Sequence, residues 1–156
     1  MRKLVFLLAF LLTACGTVVV TPKLELLLIQ DGDLPAGYTA GLLSDGSVGP
    51  ASGTSGFTTR VMREIQAAGG SATTYSYVAV ALYNDKAVLD RDFGTVLPAV
   101  QADGVASSDV GDRARVQGNI VLFTRCTALA QIQFGRPTEV MAYAKRLDQR
   151  LRSEVC

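Results

Sequence analysis

Hydrophobic and polar positions alternate most regularly over Thr73–Tyr83 (TTYSYVAVALY). Val78, Val80 and Leu82 fall on one side of a strand, and Tyr75, Tyr77, Ala79, Ala81 and Tyr83 on the other. The first side has the composition of a core. The second carries aromatics with polar tips, which suits a surface half covered or in contact with a partner. Upstream, Phe57, Val61 and Ile65 fit one helix face, yet Phe57, Thr59, Val61, Ile65 and Ala67 also share strand parity. Ala68-Gly69-Gly70-Ser71 then breaks the chain before the clear strand, so a hairpin is preferred to a helix, with Arg63 falling among its apolar positions.

The same reading places the other elements. Lys23–Ile29 (KLELLLI) is a short apolar burst, read as a helix with a strand as the alternative. Asp31–Gly37 (DGDLPAG) is a turn, because Gly relaxes the backbone and Pro fixes φ. Its two aspartates do not make a calcium loop, since the positions that would need Gly and Glu hold Ala36 and Leu42. Tyr38–Leu43 follows as a strand, and the Gly- and Ser-rich Ser44–Gly56 as a flexible loop of the kind a surface insertion makes. Asn84 can cap a helix carrying Val88 or Leu89, Phe93, and Val96 or Leu97, which Pro98 interrupts. Asp103–Gly118 returns to turn chemistry around Val110-Gly111-Asp112. Asn119–Phe134 is too long for one ordinary strand and divides near Arg125-Cys126-Thr127 into a hairpin. From Pro137 an amphipathic helix follows, with Val140, Ala144, Leu147, Leu151 and Val155 along its apolar stripe. Asp148 and Arg152, and Arg150 and Glu154, sit four apart and read as weak ion pairs on a solvated face. Together these elements predict an α+β fold. The expected form is a two-layer sandwich, a mainly antiparallel sheet of about five or six strands with helices packed on one face.

The N-terminus has a different pattern. Arg2-Lys3, an apolar run from Leu4 and small residues before Cys15 form the three parts of a secretory signal. Continued through Val20 the run approaches the length of an uncleaved anchor, but Gly16 and Thr17 interrupt it. Leu12-Thr13-Ala14-Cys15 resembles the lipobox of bacterial lipoproteins. The resemblance implies a diacylglyceryl thioether on Cys15, cleavage before it and acylation of the new amino terminus. Residues 1–14 are then a signal peptide, 15–22 a lipidated tether and 23–156 a single extracytoplasmic domain anchored to a bacterial membrane. Leu34-Pro35-Ala36-Gly37-Tyr38, and Val110-Gly111-Asp112 ahead of a hydrophobic hairpin and a last helix, also resemble uncharacterised extracytoplasmic lipoproteins. That likeness implies architecture and transfers no catalytic residue.

Composition then removes function classes. Taking Arg2 and Lys3 from the 15 cations leaves 13 against 14 anions, so no basic field for nucleic acid exists. The chain has no histidine, which excludes Ser-His-Asp and Cys-His catalysis and the commonest zinc ligand. No metal and no cofactor is implied. Of the three cysteines, the assignment of Cys15 to lipid leaves Cys126 and Cys156 as a pair where disulfides persist. Eight residues from Thr127 span about 26 Å as strand and nineteen from Pro137 about 28 Å as helix, so the helix returns Cys156 to the hairpin tip at Cys126. On an ideal helix Cys156 would point away from the apolar stripe, so it must leave helical geometry to reach its partner. The alternative is a free Cys126 thiolate favoured by Arg125.

The expected function is a lipid-anchored binding or accessory domain without catalytic activity. Its partners are the membrane, through the lipid, and an envelope protein or small ligand. Tyr75, Tyr77 and Tyr83 are the candidate binding face. The alternative is a carboxylate-dependent hydrolase of envelope glycans, with Asp109 and Asp112 as its weak candidates; Asp90 and Asp92 diverge on a helix.

Overall fold

A computed structural model describes residues 23–30, 32–45, 56–69 and 75–156. The signal peptide 1–14, the lipid-attachment residue Cys15, the tether to Pro22, Asp31, most of the Ser44–Gly56 loop and the start of the Thr73 strand lie outside these residues. Among the described residues no helix is long and apolar enough to cross a membrane.

The fold is mixed α+β, built on an antiparallel sheet of seven strands in the order β1-β2-β3-β7-β6-β5-β4. A short helix, α1 (Leu24–Leu28), precedes β1 (Tyr38–Ser44), β2 (Thr59–Ala67) and β3 (Tyr77–Leu82), which form a meander from one edge to the centre. Helices α2 (Lys86–Thr95) and α3 (Pro98–Asp103) carry the chain to the opposite edge. There β4 (Val105–Ala106), β5 (Arg113–Gln117), β6 (Ile120–Arg125) and β7 (Ala128–Gln133) return it to the centre, where β7 pairs with β3. Helix α4 (Pro137–Val155) closes the fold.

The sheet has two strands more than the sequence pattern located, and both come from Asp103–Gly118. In β5 three of five positions are Arg or Gln, and only Ala114 and Val116 turn toward the core beside Phe123 and Val121. Such a strand carries little hydrophobic signal, and β4 has two residues.

The helices also differ from the expectation of a single covered face. Val78, Val80, Leu82, Val121, Phe123 and Ile132 pack against α1 and α4 in the main core. On the other face Ala81, Tyr83, Leu122 and Leu129 pack against Leu89, Phe93, Val96 and Val100 of the α2–α3 segment. This accounts for the burial of Val78, Val80, Ala81 and Leu82 in β3. Periodicity shows that a helix has an apolar side and does not say which sheet face it covers.

Local chemistry sets the helix ends. Asp85, rather than Asn84, caps α2, its carboxylate accepting the N–H groups of Ala87 at 2.7 Å and Val88 at 3.4 Å. Leu97 takes a left-handed conformation so that Pro98 can begin α3. At α4, Glu139 accepts from the Arg136 backbone at 2.8 Å and pairs with its guanidinium at 2.6 Å, which holds its carboxyl below the usual range. The stripe Val140, Tyr143, Ala144, Leu147 and Leu151 is fully buried, and each large side chain contributes about 1.5–3 kcal/mol.

Among the described residues the polar side of α4 forms neither expected i,i+4 salt bridge, and Arg152 adds only a minor attraction to Asp148. Arg150 reaches the Asp33 carboxylate and the Leu27 carbonyl at 2.9 Å, while Arg146 donates to the Asp33 carbonyl at 2.6 Å. Tyr143 donates to the Leu28 carbonyl. Together these contacts fasten α1 and the following turn to α4.

Asp148 instead meets Arg125 at the tip of the β6–β7 hairpin, Nε and Nη2 donating to its two oxygens at 2.6 and 2.7 Å. Arg125 Nη1 donates to Asp112 at 2.6 Å, and the other Asp112 oxygen accepts the Cys126 N–H at 2.7 Å. Cys126 is bonded to Cys156, which lies just beyond the last helical residue with the Cα atoms 5.6 Å apart. Burial would raise the Asp148 carboxyl, but Arg125 and the Gly111 N–H outweigh it and hold the group below its usual value. Gly111 is required twice over: its φ is +69°, and a Cβ there would stand 2.5 Å from the Thr124 carbonyl oxygen. Gly111→Ala is therefore expected to lose at least about 1–3 kcal/mol from the backbone alone, read as a lower urea midpoint at unchanged slope.

Candidate functional site

The antiparallel register determines which side chains share the second face of the sheet. Met62 stands opposite Ala79, and Ala79 opposite Gln131. One row toward the end of β3 are Arg60, Ala81 and Leu129; one row toward its start are Glu64, Tyr77 and Gln133. Helices α2 and α3 cover the part of this face that carries Leu129 and Leu122. Arg60, Met62, Tyr77, Ala79 and Gln131 are nonetheless at most 5% exposed.

Three polar atoms in this patch, Arg60 Nη2, Tyr77 Oη and Gln131 Oε1, are sealed from solvent and have no hydrogen-bond partner among the described residues. A buried polar group left unpaired costs about 1–3 kcal/mol. Arg60 is the clearest case. The other buried charges have partners: Asp33 has Arg150, Asp92 has Arg91 at 2.9 Å and the Tyr83 hydroxyl at 2.9 Å, and Arg125 has Asp148. Among the described residues no carboxylate lies within ion-pairing distance of Arg60, and Asp45 supplies only a longer-range attraction. Its guanidinium lies over the Phe57 ring, 5.5 Å from the centroid. Burial lowers the Arg60 pKa, although Tyr83, Tyr77 and Asp45 oppose the shift. Burial pushes the Tyr77 phenol up to about 12, with Arg60 acting against it, so the hydroxyl stays protonated and able to donate.

The three tyrosines expected on one face divide. Tyr83 is buried under α2 against Leu89 and Phe93, and its hydroxyl is engaged by Asp92. Tyr77 is fully buried. Tyr75 is 42% exposed and forms the rim of the patch, donating to Glu64 at 3.0 Å with its ring 5.9 Å from that of Tyr77. The face is therefore half covered, and its free part is smaller than three tyrosines would make it. Sequence reasoning missed Arg60 and Gln131, because a polar residue at the alternate strand position reads as solvent-facing. The register sets them on the strands flanking that of Tyr77 and on the same face, Gln131 one row from it and Arg60 two.

The two aspartates considered for hydrolysis have structural partners. Asp112 holds Arg125 and the Cys126 N–H, and Asp109 accepts from Lys145 at 3.2 Å. Among the described residues no three acidic or sulfur side chains gather as a metal site. An open hollow along α4, lined by Arg146, Gln149, Arg150 and Ser153, has its two arginines turned to Asp33. Comparison with protein-family models, curated proteins and solved structures finds no match in any of the three.

Proposed function

We propose that the chain is a lipid-anchored extracytoplasmic binding or accessory domain, without catalytic activity, that holds a ligand on the second face of its sheet. The signal pattern and the lipobox-like Leu12–Cys15 support the anchor, and the Cys126–Cys156 bond suits an oxidising compartment. Two or more acyl chains, at about 0.8 kcal/mol per buried methylene, would keep the domain stably at the bilayer surface. One observation carries the binding reading: among the described residues Arg60 is a buried charge without a counter-ion, on the same sheet face as two further polar atoms without partners. A fold retains such a group at a cost that a bound partner removes. The Asp109 and Asp112 contacts do not favour glycan hydrolysis.

The intact mass of the purified protein tests the anchor, with a diacylglyceryl group on Cys15 as the expected result and an unprocessed chain from Met1 as the contrary one. Binding is tested by adding fractions of an envelope extract to the acylated protein and following its melting temperature. Ligand at a hundred times its Kd adds about 2.7 kcal/mol, a rise of several degrees. The rise should be lost in Tyr77→Phe combined with Gln131→Leu. The absence of a shift with every fraction would refute the reading.

A further inference from the structure

We infer that the outer face of the α1–α4 layer rests on the lipid headgroups of the bilayer to which the chain is tethered, with Leu26 inserted among them. This rests on the anchor proposed above and adds which side of the domain the membrane meets.

The reach of the tether limits the choice. From the acylated Cys15 to Lys23, the residue ahead of α1, is eight residues, which is at most about 26–29 Å of chain. Helices α1 and α4 pack on one face of the sheet, and α2 and α3 on the other. Two helix layers of about 10–12 Å each, with the sheet between them, make a stack as thick as that reach. Laying α2 and α3 on the bilayer would therefore stretch the tether to its limit around the domain. Laying α1 on it needs no such extension.

The surface where the tether arrives suits that contact. Of the four leucines in α1, Leu24, Leu27 and Leu28 lie in the core, while Leu26 is 62% exposed and stands one turn from Lys23. Arg150 donates to the Leu27 carbonyl at 2.9 Å and Tyr143 to that of Leu28, which fixes α1 on α4 with Leu26 outward. Beside α1, Arg146, Gln149, Arg150 and Ser153 form one stripe of α4, three or four residues apart, along an open hollow. Asp33 is buried and neutralised by Arg150, which leaves Lys23 and Arg146 against Glu25 at the surface. Anionic headgroups therefore meet a small net positive charge and are not repelled. Burying one leucine favours the docked state by only about tenfold, too little to bring a free protein to a membrane. A short tether supplies the rest, because it makes the contact intramolecular at an effective concentration on the order of millimolar.

The test places a fluorophore on a cysteine introduced into the mature acylated protein by Leu26→Cys, Gln149→Cys, Ala87→Cys or Ala99→Cys. With Cys15 acylated and Cys126 bonded to Cys156, the introduced thiol is the only free one. Each protein is mixed with vesicles of phosphatidylcholine and phosphatidylglycerol that carry a headgroup spin label, recovered by flotation, and read by quenching. Labels at positions 26 and 149 should be quenched about threefold or more above those at 87 and 99, which are exposed on the α2–α3 side. Leu26→Ser should cut the quenching at position 149 about threefold or more and leave the melting temperature unchanged, because the side chain it shortens is exposed. Equal quenching of all four labels on protein that floats, or quenching at 149 indifferent to Leu26→Ser, would overturn the docked orientation and leave the anchor standing. Protein that does not float with the vesicles would overturn the anchor and this inference together.

Discussion

Replacing Arg125 with Ala is expected to destabilise the protein by about 3–5 kcal/mol, because it leaves the buried Asp148 carboxylate without its bidentate partner. The same change releases Asp112, and with it the contact that holds the Cys126 N–H at the hairpin tip. Urea unfolding at neutral pH measures the loss. Arg125→Met with Asp148→Leu should recover most of it, since removing both charges leaves nothing unpaired. The pH dependence has a defined sign. The folded Asp148 pKa lies below its usual value, so its contribution is complete above the ordinary carboxylate pKa of about 3.9 and is lost as pH falls through the lower folded value. The native and Arg125→Ala curves should therefore converge in acid. A constant gap across that range would contradict the assignment of the loss to this ion pair.

Converting both Cys126 and Cys156 to Ser is expected to lose about 3–4 kcal/mol through the 30-residue separation that the bond closes. The bond ties the hairpin tip to the end of α4, so its removal frees the last helical turn before the rest. Hydrogen exchange should show protection falling first over Leu151–Val155, with the β3–β7 centre retained. A uniform loss across the sheet would contradict this local account.

What was legible in the chain depended on whether a signal stayed within one element. The strand expected over Thr73–Tyr83, described as Tyr77–Leu82, the hairpin with Cys126 at its tip, the interruption at Pro98 and the stripe of α4 rest on local signals, and each is found within the described residues. The cysteine pairing could be read because strand and helix rises are constant, so two lengths fixed where the chain returned. Asp148 was misassigned because its partner Arg125 lies 23 residues earlier, while Arg152 offered a plausible local alternative four residues later. Strand β5 was missed because it is half buried and rich in Arg and Gln, a composition shared with loops. Tyr77 stood out by its aromatic character, yet its polar neighbours Arg60 and Gln131 come from strands on either side. Only pairing register brings such residues together, and register is a property of three strands at once.

A crystal structure of the acylated protein isolated from its own membranes tests the binding site most directly. The expected result is a bound ligand on the second face of the sheet, within hydrogen-bond distance of Arg60 Nη2. Arg60 closed by a carboxylate of the chain itself, or bridged by water alone, would contradict it.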